Sequence, residues 1–528
     1  MGKLHVFGEV SHAPTRPQGE GSPGAVSFDV ADLYRDPASV QNAQASEAGF
    51  GLDEKLRQAY FWVVNHGIIS PFYDIEYNDE PAQSYTFGDQ KVQVTLPSEQ
   101  SYSSYVLLPL LNLALRRRCL LVGGPGRGKT VIATLMGVLS GYSLRDIRQG
   151  IQHGQPQMTV ADLLGNPLPS TLMSAKSMDE VQISWRKWLG MRIKIIDEYN
   201  RIPTRTQSAL LTVMADNYAE IYDQVFECPE AAWYLTANDD AGGGTYQVIE
   251  ALSDRIDVVV KALHFNTRFL DELVMRIEEG LRPEAIVPAE IVFTTDELDE
   301  MSRQIRRVKL PRALRRRFEF FASHFEFFES GARQFEYMTK DTVKLTDLEL
   351  QALDDGGKDA VADLGSQTKN GLSVRALMTC IAFVKGMAYF RGEDTVSFED
   401  MRQILPFVLH DKLVQEPDSP YFERAKNGAL RADKVSWIRT LFDLSSQEFE
   451  RLNLDADDPV AQFEIEFQKG LENVEASEVR QRLVAIERVL QKWSDGGKLY
   501  GHMFDDILKL KYLHQRYTNY LRWLEWKT

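Results

Sequence analysis

Between residues 101 and 265, short apolar runs alternate with stretches in which apolar residues recur every three or four positions. "SYVLLPLLNLALRRR" has helical spacing and leads into the run "CLLVG", a glycine-rich turn and the helical stretch "KTVIATLMGVLSGY". "RIKIID" and "AAWYLTAN" are further short apolar runs, again separated by helical segments. Runs this short and this uniformly apolar suit strands buried on both faces, so the pattern predicts a parallel sheet covered by helices. We place an α/β core at 101–265.

The pattern changes on either side of that core. Residues 9–50 are rich in Pro, Gly, Ser, Asp and Ala with little periodicity, as in a loop-rich lead-in, and "QKVQVTLPS" then alternates like a strand. Residues 1–100 are therefore expected to form a separate, partly β extension. After residue 266 helical spacing takes over, giving a helical domain over 266–414 with an insertion near 326–370. Its acidic, glycine-containing part runs from 345 to 371. Residues 415–528 form a helical extension, in which Val479, Leu483, Ile486, Leu490 and Trp493 share one helix face and Gly496 and Gly497 end the helix. A second, aromatic-rich helix from Met503 to Trp526 is expected to fold back on it as a hairpin.

Composition narrows the function classes. At 528 residues, with 44% hydrophobic and 26% charged residues, the chain is long enough for several well-buried domains. Subtracting 60 basic from 76 acidic residues leaves a net charge of −16, which opposes whole-molecule attraction to nucleic acid or an anionic membrane. Cys119, Cys228 and Cys380 are too scattered for a disulfide framework or a metal knuckle, and no run of about 18 apolar residues is present to span a bilayer. The expectation is a cytoplasmic protein without membrane insertion.

The chemistry lies in the glycine-rich turn. "GGPGRGKT" sets Gly123, Gly124, Pro125, Gly126, Arg127, Gly128, Lys129 and Thr130 between a strand and a helix, at the spacing G-x-x-x-x-G-K-T. Backbone N–H groups there can cradle phosphates, Lys129 can neutralise them and Thr130 can hold Mg²⁺. "IKIIDEYNR" ends an apolar run in Asp197 and Glu198. Beside a phosphate loop, the first acid suits a Mg²⁺ ligand and the second a base for the attacking water. Without such a loop, the same pair would be a plain strand end and helix start.

Four separated segments resemble the MoxR family of AAA+ ATPases. "DEYNRIPTRTQSALLTVM" resembles the family's D-E-I-N-R-A-P-P-K-T-Q-S-A-L-L-E-A-M, and "TANDDAGGGTYQVIEALSDRI" follows its T-Q-N-P-x-E-x-x-G-T-Y-x-L-P-E-A-x-L-D-R-F without gaps. "GLSVRA" resembles its G-A-S-x-R-A, and "RGEDTVSFEDMRQILPFVLHDKL" resembles its lid ending. The resemblance spans about 101–265 and 371–413 and excludes both extensions. Tyr199, Asp239 and "QVIEAL" depart from the family pattern without removing a catalytic group.

The resemblance implies an AAA+ core with a helical lid, ATP and Mg²⁺ as cofactors, and Glu198, Asn238, Arg255 and Arg375 as catalytic residues. Asn238 would be sensor 1, Arg255 an arginine finger reaching the neighbouring subunit's nucleotide, and Arg375 sensor 2. Arg201 is balanced between a nucleotide-sensing and a structural role. Implied partners are further copies of the chain in a hexameric ring, a protein client and a von Willebrand factor A domain protein, with chaperone-like remodelling as the output. Two alternatives stand beside this. One is a McrB-like nucleic-acid motor, for which the eight basic residues between Arg303 and Arg317 are the best support. The other is a scaffold that nucleotide merely stabilises. The C-terminal aromatics Tyr512, Tyr517, Tyr520, Trp523 and Trp526 fit either a helical core or a docking surface.

Overall fold

The computed structural model describes residues 51–528 apart from 70–71, 78–82, 90–91, 99, 175–180, 239–253, 263, 346–363, 425–426, 457, 472–473, 498 and 528. The lead-in at 9–50 and most of the acidic stretch at 345–371 lie outside the described residues, as does the chain between Asn238 and Asp254. Leu52–Thr528 form one compact unit.

Its centre is a five-stranded parallel sheet of β1 (Arg118–Val122), β2 (Gln152–His153), β3 (Ile193–Asp197), β4 (Ala232–Ala237) and β5 (Val258–Lys261), in the order β5-β1-β4-β3-β2. All six residues of β4 are buried, as the central position requires. Val122 lies opposite Ala237 and Ile196 opposite Leu235, so β1, β3 and β4 end along one edge. Brought to that edge are the turn after β1, the acids after β3 and Asn238 after β4. Ligands of open parallel sheets gather at this edge because loops there face outward from the strand ends.

β3 contains one residue that its apolar pattern does not explain. Lys194 is fully buried. Its ammonium donates to the carbonyls of Trp188 (3.2 Å), Leu189 (2.7 Å) and Met191 (2.9 Å), and it lies against the Trp188 and Trp233 rings. Burial pulls its pKa down to about 8. The lysine thereby closes off the short helical turn Lys187–Gly190 that precedes the strand.

Helices α1 (Leu52–Trp62), α2 (Ser104–Leu115), α3 (Lys129–Leu139) and α4 (Thr204–Asp216) surround the sheet together with its lid. α2 is apolar almost all round because it is covered on all sides, and Asn112 Nδ2 ties it to Trp233 O of β4 at 3.1 Å. α1 gives no clear signal in the sequence, yet Leu56 and Tyr60 are buried in the same core as α2 and the lid. Tyr60 packs edge-on against Phe390, and its hydroxyl oxygen accepts the Ser103 N–H at the start of α2 at 2.6 Å. The expected strand near "QKVQVTLPS" is Val92–Thr95, paired in a hairpin with Ser84–Phe87.

Beyond β5 come α5 (Leu270–Glu278), α6 (Thr295–Arg307), α7 (Arg312–Ser323), α8 (Val374–Phe390), α9 (Phe398–Leu409) and α10 (Lys434–Arg451). Ser397 opens α9 with a capping box to Asp400, satisfying two end donors. α8 packs on α2, and α9 packs on β5 and α10. After α11 (Ala461–Gln468), α12 (Ala476–Asp495) and α13 (Gly501–Lys527) form the expected hairpin around Val479, Ile486, Leu510, Leu513 and Tyr517. Tyr517 is thus core, whereas Tyr512, Trp523 and Trp526 are exposed.

Among the described residues, four of the eight basic residues between Arg303 and Arg317 pair with acids of the same chain. Arg317 meets Glu450 at 2.8 Å and Asp455 at 2.9 Å, and its guanidinium lies over Phe398 and Phe449. Arg316 meets Glu319 and Asp458, Arg303 meets Glu300, and Lys309 meets Asp394. All three free cysteines are buried. Among the described residues, no helix is long and apolar enough to cross a membrane.

Tyr60→Phe provides a test of the α1 anchorage. It leaves the buried Ser103 N–H without its acceptor while keeping the ring, and should lower stability by about 1–3 kcal/mol. A urea-unfolding midpoint equal to that of the parent protein would show that this bond does not hold α1 to the core.

Candidate functional site

The turn after β1 is built around a buried ammonium. Lys129, at the start of α3, donates to Gly123 O at 2.6 Å, Gly124 O at 2.8 Å and Asn238 Oδ1 at 2.9 Å. Gly128 precedes it with φ 75°, a left-handed conformation that glycine adopts without strain and that turns the chain into the helix. Pro125, Gly126 and Arg127 form the exposed crest of the loop. Tyr105, from the first turn of α2, donates its hydroxyl to Arg127 O at 3.1 Å and so braces that crest.

Asp197 and Glu198 sit beside this loop. Consecutive residues of a strand point to opposite faces, which would separate the two carboxylates. Glu198 avoids this by adopting φ 54°, ψ 48°, a left-handed conformation that costs a non-glycine residue about 1–3 kcal/mol. Thr236, on β4, stabilises the turn. Its hydroxyl donates to Asp197 Oδ1 at 2.6 Å and accepts the Glu198 N–H at 2.9 Å. Thr130 Oγ1 donates to the same Asp197 oxygen at 2.9 Å, and His153 Nδ1 stands 3.3 Å from the other. Glu198 Oε1 accepts from Asn238 Nδ2 at 2.9 Å, and Glu198 Oε2 faces Arg201 Nε at 3.2 Å.

Lys129, Thr130, Asp197, Glu198 and Asn238 are thereby joined in one hydrogen-bonded network with Arg201 at its margin. Sequence reasoning missed Thr236, Tyr105, His153 and Gly154. Gly154 follows β2, and a Cβ there would stand 2.2 Å from Glu198 O, so only glycine fits. The signals were slight: a lone threonine two positions before Asn238, and a glycine after a two-residue strand.

The other two expected residues stand apart from this network. Arg375, on α8, forms an ion pair with Asp254, and Arg255 is half-buried beside that pair. Thr379 of α8 and Lys412 after α9 also bond to the segment that carries Arg255.

Next to the loop crest opens a cavity of about 680 Å³, lined by Ile68, Tyr105, Gly128, Val131, Phe265 and Ile277 among others. Its largely apolar wall beside a cluster of N–H donors is suited to a flat ring system carrying phosphates. Thr130 and Asp197 place a hydroxyl and a carboxylate where such phosphates would lie. Two hard oxygens with room for phosphate oxygens are a donor set that fits Mg²⁺.

Residues 118–258 match the model of the ATPase family associated with various cellular activities (AAA), and residues 365–427 match the AAA lid domain. The chain is 25% identical to Chaperone MoxR1 of Mycobacterium tuberculosis over 313 residues, which is 59% of this chain and 71% of that protein. A solved structure of a candidate ATPase from Cytophaga hutchinsonii superposes with a TM-score of 0.48 at 16% identity, covering 72% of this chain and 94% of that one.

Thr236→Val keeps the shape of the side chain and removes the hydroxyl shared by Asp197 and Glu198. Nucleotide affinity should change little, while turnover should fall by roughly 10–100-fold, the usual cost of losing a group that orients a catalytic one. An unchanged kcat would show that the two carboxylates are held without it.

Proposed function

The chain carries an AAA ATPase domain followed by an AAA lid, and from this premise we propose that it is a MoxR-type AAA+ ATPase that hydrolyses ATP to remodel a protein client. The observation that carries the proposal is the network that links Lys129, Asn238 and Glu198 on one side and Thr130, Asp197 and Thr236 on the other.

In this reading Lys129 exchanges the Gly123 and Gly124 carbonyls for phosphate oxygens when ATP enters, a replacement that keeps its charge compensated throughout. The N–H groups of the Gly123–Thr130 turn cradle the phosphates. Thr130 and Asp197 would hold Mg²⁺, which would supply neutralisation of the phosphate charge. Glu198 takes a proton from the attacking water, and Asn238 keeps its carboxylate aimed by holding one of its oxygens. Arg201 faces the second oxygen, and the glutamate would have to loosen that contact to reach water. Arg255 would complete the site of a neighbouring subunit, which makes hydrolysis dependent on assembly, with a ring of six as the proposed form. Arg375 would draw the lid onto the γ-phosphate, converting hydrolysis into movement of the lid.

A cytoplasmic setting and a von Willebrand factor A domain protein as partner belong to the same proposal. The pairing of Arg316 and Arg317 with acids of the C-terminal region takes these two residues out of the cluster that supported a nucleic-acid motor.

Glu198→Gln keeps the hydrogen bond from Asn238 and removes the base. ATP should still bind, turnover should fall by roughly 10²–10⁴-fold, and a stalled complex purified from cells should retain a protein client or the von Willebrand factor A domain partner. Recovery of mainly DNA, or of monomers hydrolysing ATP at the parent rate, would overturn the proposal.

A further inference from the structure

Arg255 sits in the segment Asp254–Asp257, which the lid grips on both sides. Arg375 of α8 pairs with the Asp254 carboxylate. One turn further along the same helix, Thr379 donates to Asp257 Oδ1 at 2.6 Å. Lys412, just past the end of α9, donates to Ile256 O and, at 3.4 Å, to Asp254 O. All of these contacts fall on atoms outside the Arg255 side chain, so they set the backbone from which that side chain projects.

The core holds the far end of the segment. Asp257 is fully buried, and its Oδ2 accepts the Arg118 N–H at 3.0 Å and faces Arg118 Nη1 at 3.3 Å, at the start of β1. Asp257 is therefore shared, with one oxygen on the sheet and the other on the lid. Lys412 is half-buried, and burial lowers its pKa while Asp411, Asp257 and Asp254 act to raise it. Withdrawing this ammonium from its carbonyls costs hydrogen bonds made by a charged donor, so a rotation of α8 and α9 should drag the segment rather than slip past it.

We propose that the lid positions Arg255 through Arg375, Thr379 and Lys412, so that the nucleotide held by one subunit governs the arginine which that subunit offers to the next. The inference rests on the reading of Arg255 as acting on a neighbour's nucleotide. Arg375 has two alternative destinations, the Asp254 carboxylate and a γ-phosphate, which would compete for its charge. A nucleotide that draws it inward frees Asp254, while Lys412 and Thr379 carry the lid's displacement to the backbone around Arg255. Lys412 and Thr379 are positioning residues; neither lines the nucleotide cavity.

The test uses mixed assemblies of the full chain. Glu198→Gln subunits bind ATP without hydrolysing it and supply Arg255; Arg255→Ala subunits hydrolyse only with an arginine from a neighbour. Mixing the two should restore turnover. Placing Lys412→Met in the Glu198→Gln subunit should lower the restored turnover by roughly 5–150-fold, the range of typical coupling between sites. The subunit's own affinity for a fluorescent ATP analogue should stay unchanged, and Lys412→Arg should recover part of the loss. Thr379→Val, nearly isosteric, should act in the same direction and serves where Lys412→Met folds poorly. Restored turnover unaffected by either variant would overturn the inference, as would an equal loss of the subunit's own nucleotide affinity. Failure of the unmodified mixture to regain any turnover would instead overturn the action of Arg255 in trans, and this inference with it.

Discussion

Two adjacent carboxylates at the end of a strand repel each other and, by strand geometry, point apart. Here they are made to act on one site by a single buried hydroxyl, Thr236 Oγ1, which donates to Asp197 and accepts the Glu198 N–H. The left-handed turn at Glu198 is affordable only because β4 delivers that hydroxyl in register, with Leu235 opposite Ile196. The rest of the core follows from this need. β4 must be central and β3 must lie beside it; β1 on the other flank of β4 then brings the phosphate turn to the same edge.

The same network keeps the site compensated in the arrangement seen here. Lys129 is held by carbonyls and Asn238, Asp197 by hydroxyls, and Glu198 by Asn238 and Arg201. A buried ammonium without partners would cost several kcal/mol, and the Gly123 and Gly124 carbonyls remove that cost. Backbone carbonyls suit Lys129 because they accept a hydrogen bond without the strong attraction of a carboxylate. A carboxylate in their place would compete with the incoming phosphate for the same charge.

Legibility in the sequence divides along a physical line. Features determined by local geometry were readable: the G-x-x-x-x-G-K-T spacing, the apolar runs that became β1, β3 and β4, and the α12–α13 hairpin with its glycine stop. Features made by pairs far apart in the chain left no spacing to detect. Thr236 meets residues 38 and 39 positions away, and Lys412 meets a carbonyl 156 positions away. The setting of Lys194 was likewise invisible, since "RIKIID" reads as an apolar run and nothing in it shows the three carbonyls that accept from the lysine. α1 shows the limit of periodicity itself. It is a short helix whose anchorage depends on Tyr60 meeting Phe390 and Ser103, partners supplied by the lid and by α2.

The basic segment shows why charge runs mislead when read along the chain. Arg316 and Arg317 are consecutive on α7, yet the acids that receive them come from 133 to 142 positions later, at Glu450, Asp455 and Asp458. Arg317 is further desolvated between two phenylalanine rings, which favours a guanidinium over a more strongly hydrated ammonium. Those contacts fasten α7 to the C-terminal helices, and α13 packs on the same helix where Phe320 meets His502. On the proposed mechanism, a turn of α8 and α9 would be passed to α10, and through α7 to the α12–α13 hairpin, because each of these elements packs on the next. The C-terminal helices would then sit at the far end of the same lever whose near end grips the segment carrying Arg255.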